Sequence, residues 1–215
     1  MTLTVFFMIK AVLFDMDGVL IDAKDWHYNA LNRSLEIFGL NISYDDHIKN
    51  FDGKPTNIKL DQLVNENIIP KNLKPYISNL KQYFTHELIM EKCMPNFPHR
   101  YLLSKLKNKN LKLALCSNSI KNSISLMIER AKISSFFDLI LSNEDVYQPK
   151  PHPEIYLKAI KNFQLKPEEC LILEDNINGI NAAKRSGAHV LEIQSVHDVN
   201  FDNVYKTINI INKND

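Results

Sequence analysis

Cysteine is rare in this sequence: Cys93, Cys116 and Cys170 are the only three in 215 residues. The count is odd and the spacings fit no metal site, so a disulfide framework is not implied and a reducing, cytoplasmic setting is expected. Cys116 and Cys170 each lie in an apolar run and read as buried packing. Charge of one sign is also missing. Lys and Arg number 26 against 25 Asp and Glu, a formal net charge of +1. No basic field exists to draw in nucleic acid or an acidic membrane. The run Lys105-Leu106-Lys107-Asn108-Lys109 has no interleaved aromatics and reads as a solvated helix end. No apolar stretch is long enough to span a bilayer. The apolar start, Met1 to Phe14, has no basic region before it and meets Asp15 and Asp17 at once, which argues against a signal peptide. Met8 offers an alternative start that would make residues 1–7 an extension. Internal repeats are absent, as are low-complexity tracts beyond a general richness in Asn and Lys.

What is present is a chain long enough for one core and a small companion domain. Five short apolar runs end in polar residues: Ile9–Phe14, Leu111–Cys116, Leu139–Leu141, Cys170–Leu173 and Val190–Ile193. Continuous runs of this length fit strands buried on both faces, as in a parallel sheet. Ile124, Met127, Ile128 and Ala131 recur at helical spacing between them, as do Ile155, Tyr156, Ala159, Ile160 and Phe163. Alternating strands and helices predict a doubly wound α/β sheet. The stretch from Ala23 to Asn96 has no convincing strand. Leu31, Leu35 and Phe38 mark one helical face, and Leu73, Ile77, Leu80, Phe84 and Leu88 a longer one. Pro55, Pro70 and Pro75 divide it into several helices, and Pro95 and Pro98 mark the return to the sheet. The expected organisation is a core of residues 1–22 and 97–215 with a helical domain, residues 23–96, inserted after the first strand.

Chemistry-bearing residues fall at the strand ends. Asp15-Met16-Asp17-Gly18 follows the first strand directly. Two carboxylates one residue apart can enter one crevice, one to attack phosphorus or hold a metal and the other to move protons. Ser117-Asn118-Ser119 follows the second strand, where a hydroxyl and turn N–H groups make an anion site and also suit an N-cap for the next helix. Lys150, set among Pro149, Pro151 and Pro153, follows the third, and Glu174-Asp175 the fourth. Oxygen ligands there and at Asp15 suit Mg²⁺. Each motif alone has an ordinary structural reading: a polar turn, a cap, an exposed Lys, an acidic helix start. All four on the side of a sheet where ligands bind favour phosphoryl transfer.

The series Asp15-x-Asp17-Gly18-Val19, Ser117-Asn118, Lys150-Pro151-x-Pro153 and Glu174-Asp175-x-x-x-Gly179 resembles the haloacid dehalogenase-like hydrolase superfamily, and most of all its branch of β-phosphoglucomutase and related sugar-phosphate phosphatases. The resemblance covers nearly the whole chain. It implies a Rossmann-like core and a cap formed by residues 23–96. It implies that Asp15 forms an aspartyl-phosphate and Asp17 is the acid/base. Ser117, Asn118 and Lys150 would bind phosphate, and Gly179 would permit close helix packing. Asp15, Glu174, Asp175 and the Asp17 main-chain carbonyl would hold Mg²⁺. Haloacid dehalogenases lack a carboxylate at the place of Asp17 and phosphonatases carry Ala, so Asp17 points to phosphate esters, whose leaving alkoxide needs a proton. In the cap, His27 matches a hinge His of the mutase branch, and Gly53-Lys54-Pro55-Thr56 is the substrate loop. Thr56 stands where the mutase has a substrate-binding Arg, and Ala23 where it has a hinge Thr. Lys81 is either a cap cation facing substrate or a solvated helix Lys.

The expected activity is therefore a Mg²⁺-dependent phosphatase, a monomer, acting on a small phosphorylated metabolite such as a sugar, polyol or amino-alcohol phosphate. A phosphomutase is the alternative. A non-catalytic phosphate-binding module would be expected to have lost at least one of these acids, and none is lost.

Overall fold

Each of the five apolar runs becomes a strand in the computed structural model, which describes residues 8–214. Residues 1–7, the extension that a start at Met8 would remove, lie outside the described residues. The strands are β1 (Ala11–Phe14), β2 (Lys112–Cys116), β3 (Leu139–Leu141), β4 (Cys170–Glu174) and β5 (His189–Glu192). All pair in parallel, in the order β3-β2-β1-β4-β5. The chain steps outward from β1 to β3 and then returns to the other side of β1 as β4. The reversal puts a crevice beyond the carboxyl ends of β1 and β4.

Burial follows position in the sheet. β1 and β4 are buried throughout, whereas β5 at the edge is only partly covered. Along β1 the side chains alternate between two cores, as strand geometry demands. Val12 and Phe14 join a cluster with α5 (Phe97–Asn108), α6 (Lys121–Arg130) and α9 (Phe201–Asn214). Ala11 and Leu13 join the other, with α7 (Glu154–Asn162) and α8 (Ile177–Arg185). The three cysteines are buried and unpaired. Among the described residues no helix is long and apolar enough to cross a membrane.

Between β1 and α5 the chain is helical: α1 (Lys24–Glu36), a short α2 (Tyr44–Asp46), a turn of π-helix at His47–Phe51, α3 (Thr56–Asn65) and α4 (Lys74–Lys92). The prolines sit where helices begin. Pro55 and Pro70 precede helical turns, and Pro75 and Pro98 lie in the first turns of α4 and α5, where a missing N–H costs nothing. Leu31, Leu35, Phe51, Leu60, Leu63 and Ile77 form this segment's own apolar cluster. Trp26, Ala30, Leu88 and Ile89, at the other ends of α1 and α4, pack instead with the core. The two long helices thus tie the inserted segment to the sheet.

One local expectation fails. Ser117-Asn118-Ser119 does not cap the following helix, because α6 begins at Lys121 with Ile120 as its N-cap residue. The Lys121 N–H is met by the Glu144 carboxylate at 2.6 Å. The serines are thereby left for the crevice.

Candidate active site

Asp15 is the first residue past β1, and its N–H donates to the Leu173 carbonyl at 3.0 Å, continuing the ladder to β4. That bond aims the Asp15 carboxylate into the crevice. Glu174 closes β4 and is 1% exposed. Lys150, from the loop before α7, lies between them: its Nζ donates to Asp15 Oδ1 at 2.6 Å, to Glu174 Oε1 at 2.6 Å and to the Cys116 carbonyl at 2.7 Å. The Tyr156 hydroxyl also donates to Glu174 Oε1. Burial and the Glu174 charge push the Asp15 carboxyl well above the ordinary range, and Lys150 only partly offsets them. Burial would lower Lys150, but Asp15 and Glu174 outweigh it and hold the ammonium charged.

Asp17 is placed by the next turn. Gly18 has φ +88° and donates to the Ile21 carbonyl at 2.7 Å. A side chain at Gly18 would also collide with the Asp175 carboxylate. Asp17 Oδ2 accepts from the Ser119 hydroxyl at 2.9 Å. Asp17 Oδ1 faces His27 Nε2 at 3.2 Å without a formed hydrogen bond, and burial holds the His27 imidazole below its ordinary value. Lys81 Nζ stands behind, 3.3 Å from His27 Nδ1. Burial raises Asp17, yet His27, Ser119 and Lys81 together leave it below its ordinary value.

Asp15, Glu174 and Asp175 offer oxygens within 4.8 Å of one another, a spacing open to one cation. Both Asp175 oxygens are buried without a hydrogen bond, although Lys24 Nζ approaches Oδ2 to 2.6 Å. An all-oxygen donor set with one carboxylate left without a hydrogen bond fits a hard divalent cation. Gly179 serves the same corner. Its expected role was helix packing, but the close neighbour is the Glu174 carboxylate, into which any Cβ would project.

Asp15, Asp17, Ser117, Asn118, Lys150 and Glu174 line one cavity of about 60 Å³. The Asn118 amide is spent on the main chain: it donates to Gly53 O at 2.9 Å and Lys150 O at 3.3 Å and accepts from Lys150 N–H at 3.1 Å. Lys54 lines this cavity and an adjoining one bounded by the helical segment and by Asn118, Ser119 and Asn143; of the two, Thr56, His27 and Lys81 line only the second. Lys81 is 5% exposed, so its reading as a solvated helix Lys is wrong.

Residues 12–193 match the family described as haloacid dehalogenase-like hydrolase. The chain belongs to this family. It is 29% identical over 178 residues to a phosphoglycolate phosphatase of Aquifex aeolicus, covering 83% of this chain and 81% of that protein. It is 31% identical over 181 residues to a phosphorylated carbohydrates phosphatase of Thermotoga maritima, covering 83% and 82%. Among solved structures, a β-phosphoglucomutase of Clostridium difficile superposes with a TM-score of 0.81 at 26% identity, covering 94% of this chain and 98% of that one. The protein is thus a hydrolase of the haloacid dehalogenase-like family with the fold of its mutase branch.

Several residues at this hydrolase's site escaped the sequence reading. Tyr156 was legible only as an apolar position of α7, because its ring does pack in the core while its hydroxyl reaches Glu174. Lys24 gave no signal beyond its closeness to Asp22 and Asp25. Asp52 joins the inserted segment to the core, accepting from the Asn176 amide at 2.6 Å. Lys59 did carry a signal: it falls one turn after Thr56, next to Leu60 in the apolar pattern of α3.

Proposed function

We propose that the protein is a Mg²⁺-dependent phosphatase that cleaves a small phosphorylated metabolite through an aspartyl-phosphate on Asp15, with residues 23–96 acting as a cap over the site. The carrying observation is that Asp15, Asp17, Ser117 and Glu174, from the ends of β1, β2 and β4, and Lys150, from the loop before α7, line one cavity. The curated relatives named as phosphatases support the same reading.

Asp15 attacks phosphorus, and the bond to the leaving oxygen breaks as Asp17 gives that oxygen a proton. Asp17 then takes a proton from the water that cleaves the acyl-phosphate, returning Asp15 as a carboxylate. The depressed Asp17 suits the base half of this cycle. A dianionic phosphate arriving beside it favours the protonated form that the acid half requires. His27 and Ser119 hold the Asp17 carboxylate in place. Ser117 supplies a hydroxyl donor for the phosphoryl oxygens, and Lys150, whose three N–H bonds go to Asp15, Glu174 and the Cys116 carbonyl, supplies positive charge beside them. Asp15, Glu174, Asp175 and the Asp17 carbonyl would hold Mg²⁺, which supplies charge neutralisation at the phosphoryl group.

The test is hydrolysis of an aryl phosphate with and without Mg²⁺, by wild type and Asp15→Asn. Turnover by the variant within tenfold of wild type refutes the proposal, since that is only about 1.4 kcal/mol of barrier. The likeness to a β-phosphoglucomutase favours a second reading, phosphomutase. Dependence of turnover on an added sugar bisphosphate distinguishes it.

A further inference from the structure

His99 stands in the first turn of α5, just after the inserted segment, and its N–H donates to the Asn96 side chain at 3.2 Å. The residue is 3% exposed. Its ring bridges two other stretches of the chain. Nδ1 lies 3.0 Å from the Leu20 carbonyl, and Nε2 lies 2.9 Å from the Val196 carbonyl. Both partners are carbonyl oxygens, which only accept. A neutral imidazole carries one N–H and one lone pair, so it can serve one of them and must turn a lone pair to the other. Only the imidazolium donates to both.

The two carbonyls belong to turns behind catalytic acids. Leu20 closes the turn that carries Asp17: its N–H and that of Ile21 donate to the Met16 carbonyl at 3.0 and 2.9 Å, and the Ile21 carbonyl in turn accepts from Gly18. Val196 opens the turn Val196–Asp198, three residues after Ile193, whose N–H donates to the Glu174 carbonyl at 2.7 Å. Burial pulls the His99 ring below its ordinary 6.5, and the Val196 and Leu20 carbonyls draw it part of the way back. His197, from the turn Val196–Asp198, lowers it slightly; among the described residues neither α5 nor the Leu20 turn brings a charged group to bear on it. Its proton is therefore held by the two carbonyls and not by an acid.

We propose that His99 is a positioning residue whose two ring nitrogens clamp Leu20 to Val196, so that one proton sets how firmly the turn carrying Asp17 is held. With the proton, the ring holds both carbonyls. Without it, one buried carbonyl loses its donor and that side of the clamp opens. The effect on turnover rests on the phosphatase reading; the clamp itself does not.

The experiment has two arms. In the first, wild type with ¹⁵N-labelled histidine side chains and ¹³C-labelled carbonyls is titrated by NMR from about pH 5 to pH 8, the range in which histidine ordinarily changes charge. His99→Gln identifies the His99 signals by their loss. Both ring nitrogens should carry protons at the acid end and one at the alkaline end, and the Leu20 or Val196 carbonyl should shift with the same midpoint. A ring that keeps one proton throughout, or carbonyls that ignore its titration, overturns the clamp. In the second arm, the single-turnover rate of phosphorylation by an aryl phosphate is compared between wild type and His99→Gln over the same range. Gln cannot titrate, and its one amide nitrogen can serve one carbonyl. The rate ratio should be about tenfold at the acid end, the scale of one hydrogen bond to a charged group, and fall toward one as wild type loses its proton. Titrations common to both proteins, that of Asp17 among them, cancel from the ratio to first order. A ratio that does not change with pH overturns the positioning role, since a purely structural loss would be constant. If wild type hydrolyses no aryl phosphate, the phosphatase reading fails, and the NMR titration still decides the clamp.

Discussion

The Lys150 ammonium stands 2.6 Å from the Asp15 carboxylate and is only 3% exposed at its side chain. The same nitrogen meets Glu174 at 2.6 Å, so one cation balances two buried acids. Removing one partner of such an arrangement costs about 3–5 kcal/mol, because the charge left behind is buried and unpaired. Lys150→Met should lower the urea midpoint accordingly in EDTA. Saturating Mg²⁺ should recover part of the loss, since a divalent ion among Asp15, Glu174 and Asp175 supplies the missing charge. A variant as stable as wild type in EDTA would mean that the Lys150 charge does not hold these buried carboxyl groups in place.

Lys24 holds Asp175 Oδ2 at 2.6 Å across a partly exposed contact. A cation binding to Asp175 must displace that ammonium or share the carboxylate with it. Lys24→Met is expected to tighten Mg²⁺ binding about fivefold by calorimetry, the scale of a surface ion pair. Chelation with EDTA should abolish phosphatase activity in both proteins, and Mg²⁺ should restore it. Weaker binding in the variant would show that Lys24 shapes the site rather than competing for it.

Asp17 lies one residue from Asp15 but is held by Ser119 and His27, outside the Lys150 network. Asp17→Asn is nearly isosteric and should fold normally. General acid–base help is worth about 10²–10⁴ in rate. In rapid-quench kinetics the loss in the phosphorylation step should be large with an alkyl phosphate and small with nitrophenyl phosphate, whose leaving group needs little protonation. The acyl-phosphate still needs a base for its hydrolysis, so a burst followed by a stall is expected. Equal losses on both esters, with no burst, would remove Asp17 from the acid role.

The sheet was legible because its strands are buried and therefore apolar in sequence, with a polar residue where each meets the crevice. Even β5, half-exposed at the edge, kept enough Val and Leu to be seen. The residues at strand ends were legible for the same reason. Contacts made by the inserted segment were not. His27, Lys59 and Lys81 come from three helices, and no periodicity within one helix says that they converge. The expected Ser117-Asn118-Ser119 cap failed through a distant competitor, Glu144, which lies in the turn after β3 and takes the first N–H of α6. Lys81 was ambiguous because a lysine in an amphipathic helix is ordinarily solvated, and residues far apart in sequence, among them His27, Lys59 and Ser119, surround it here.

Lys59 links stability to pH with a definite sign. Its folded value, about 8, lies below the ordinary 10.5, and burial is the largest cause, with Asp52 and Asp17 pulling upward and Lys54 downward. Below pH 8 both folded and unfolded chains carry the proton, and the burial cost is present in full. Between about 8 and 10.5 the folded chain releases it first, so this residue's contribution to stability rises with pH. Lys59→Met removes the charge and keeps most of the stem's packing. The variant should therefore be more stable than wild type at pH 7, by about 3 kcal/mol at most. The gain should fade to nothing as pH approaches 10.5, the ordinary value for lysine. Urea unfolding of both proteins at pH 7 and pH 10.5 gives the difference, in which titrating groups remote from Lys59 cancel to first order, while relief of the Lys59 repulsion on Lys81 acts in the same direction. A variant less stable than wild type at pH 7 would mean that Asp52 pairs with Lys59 closely enough to outweigh its burial.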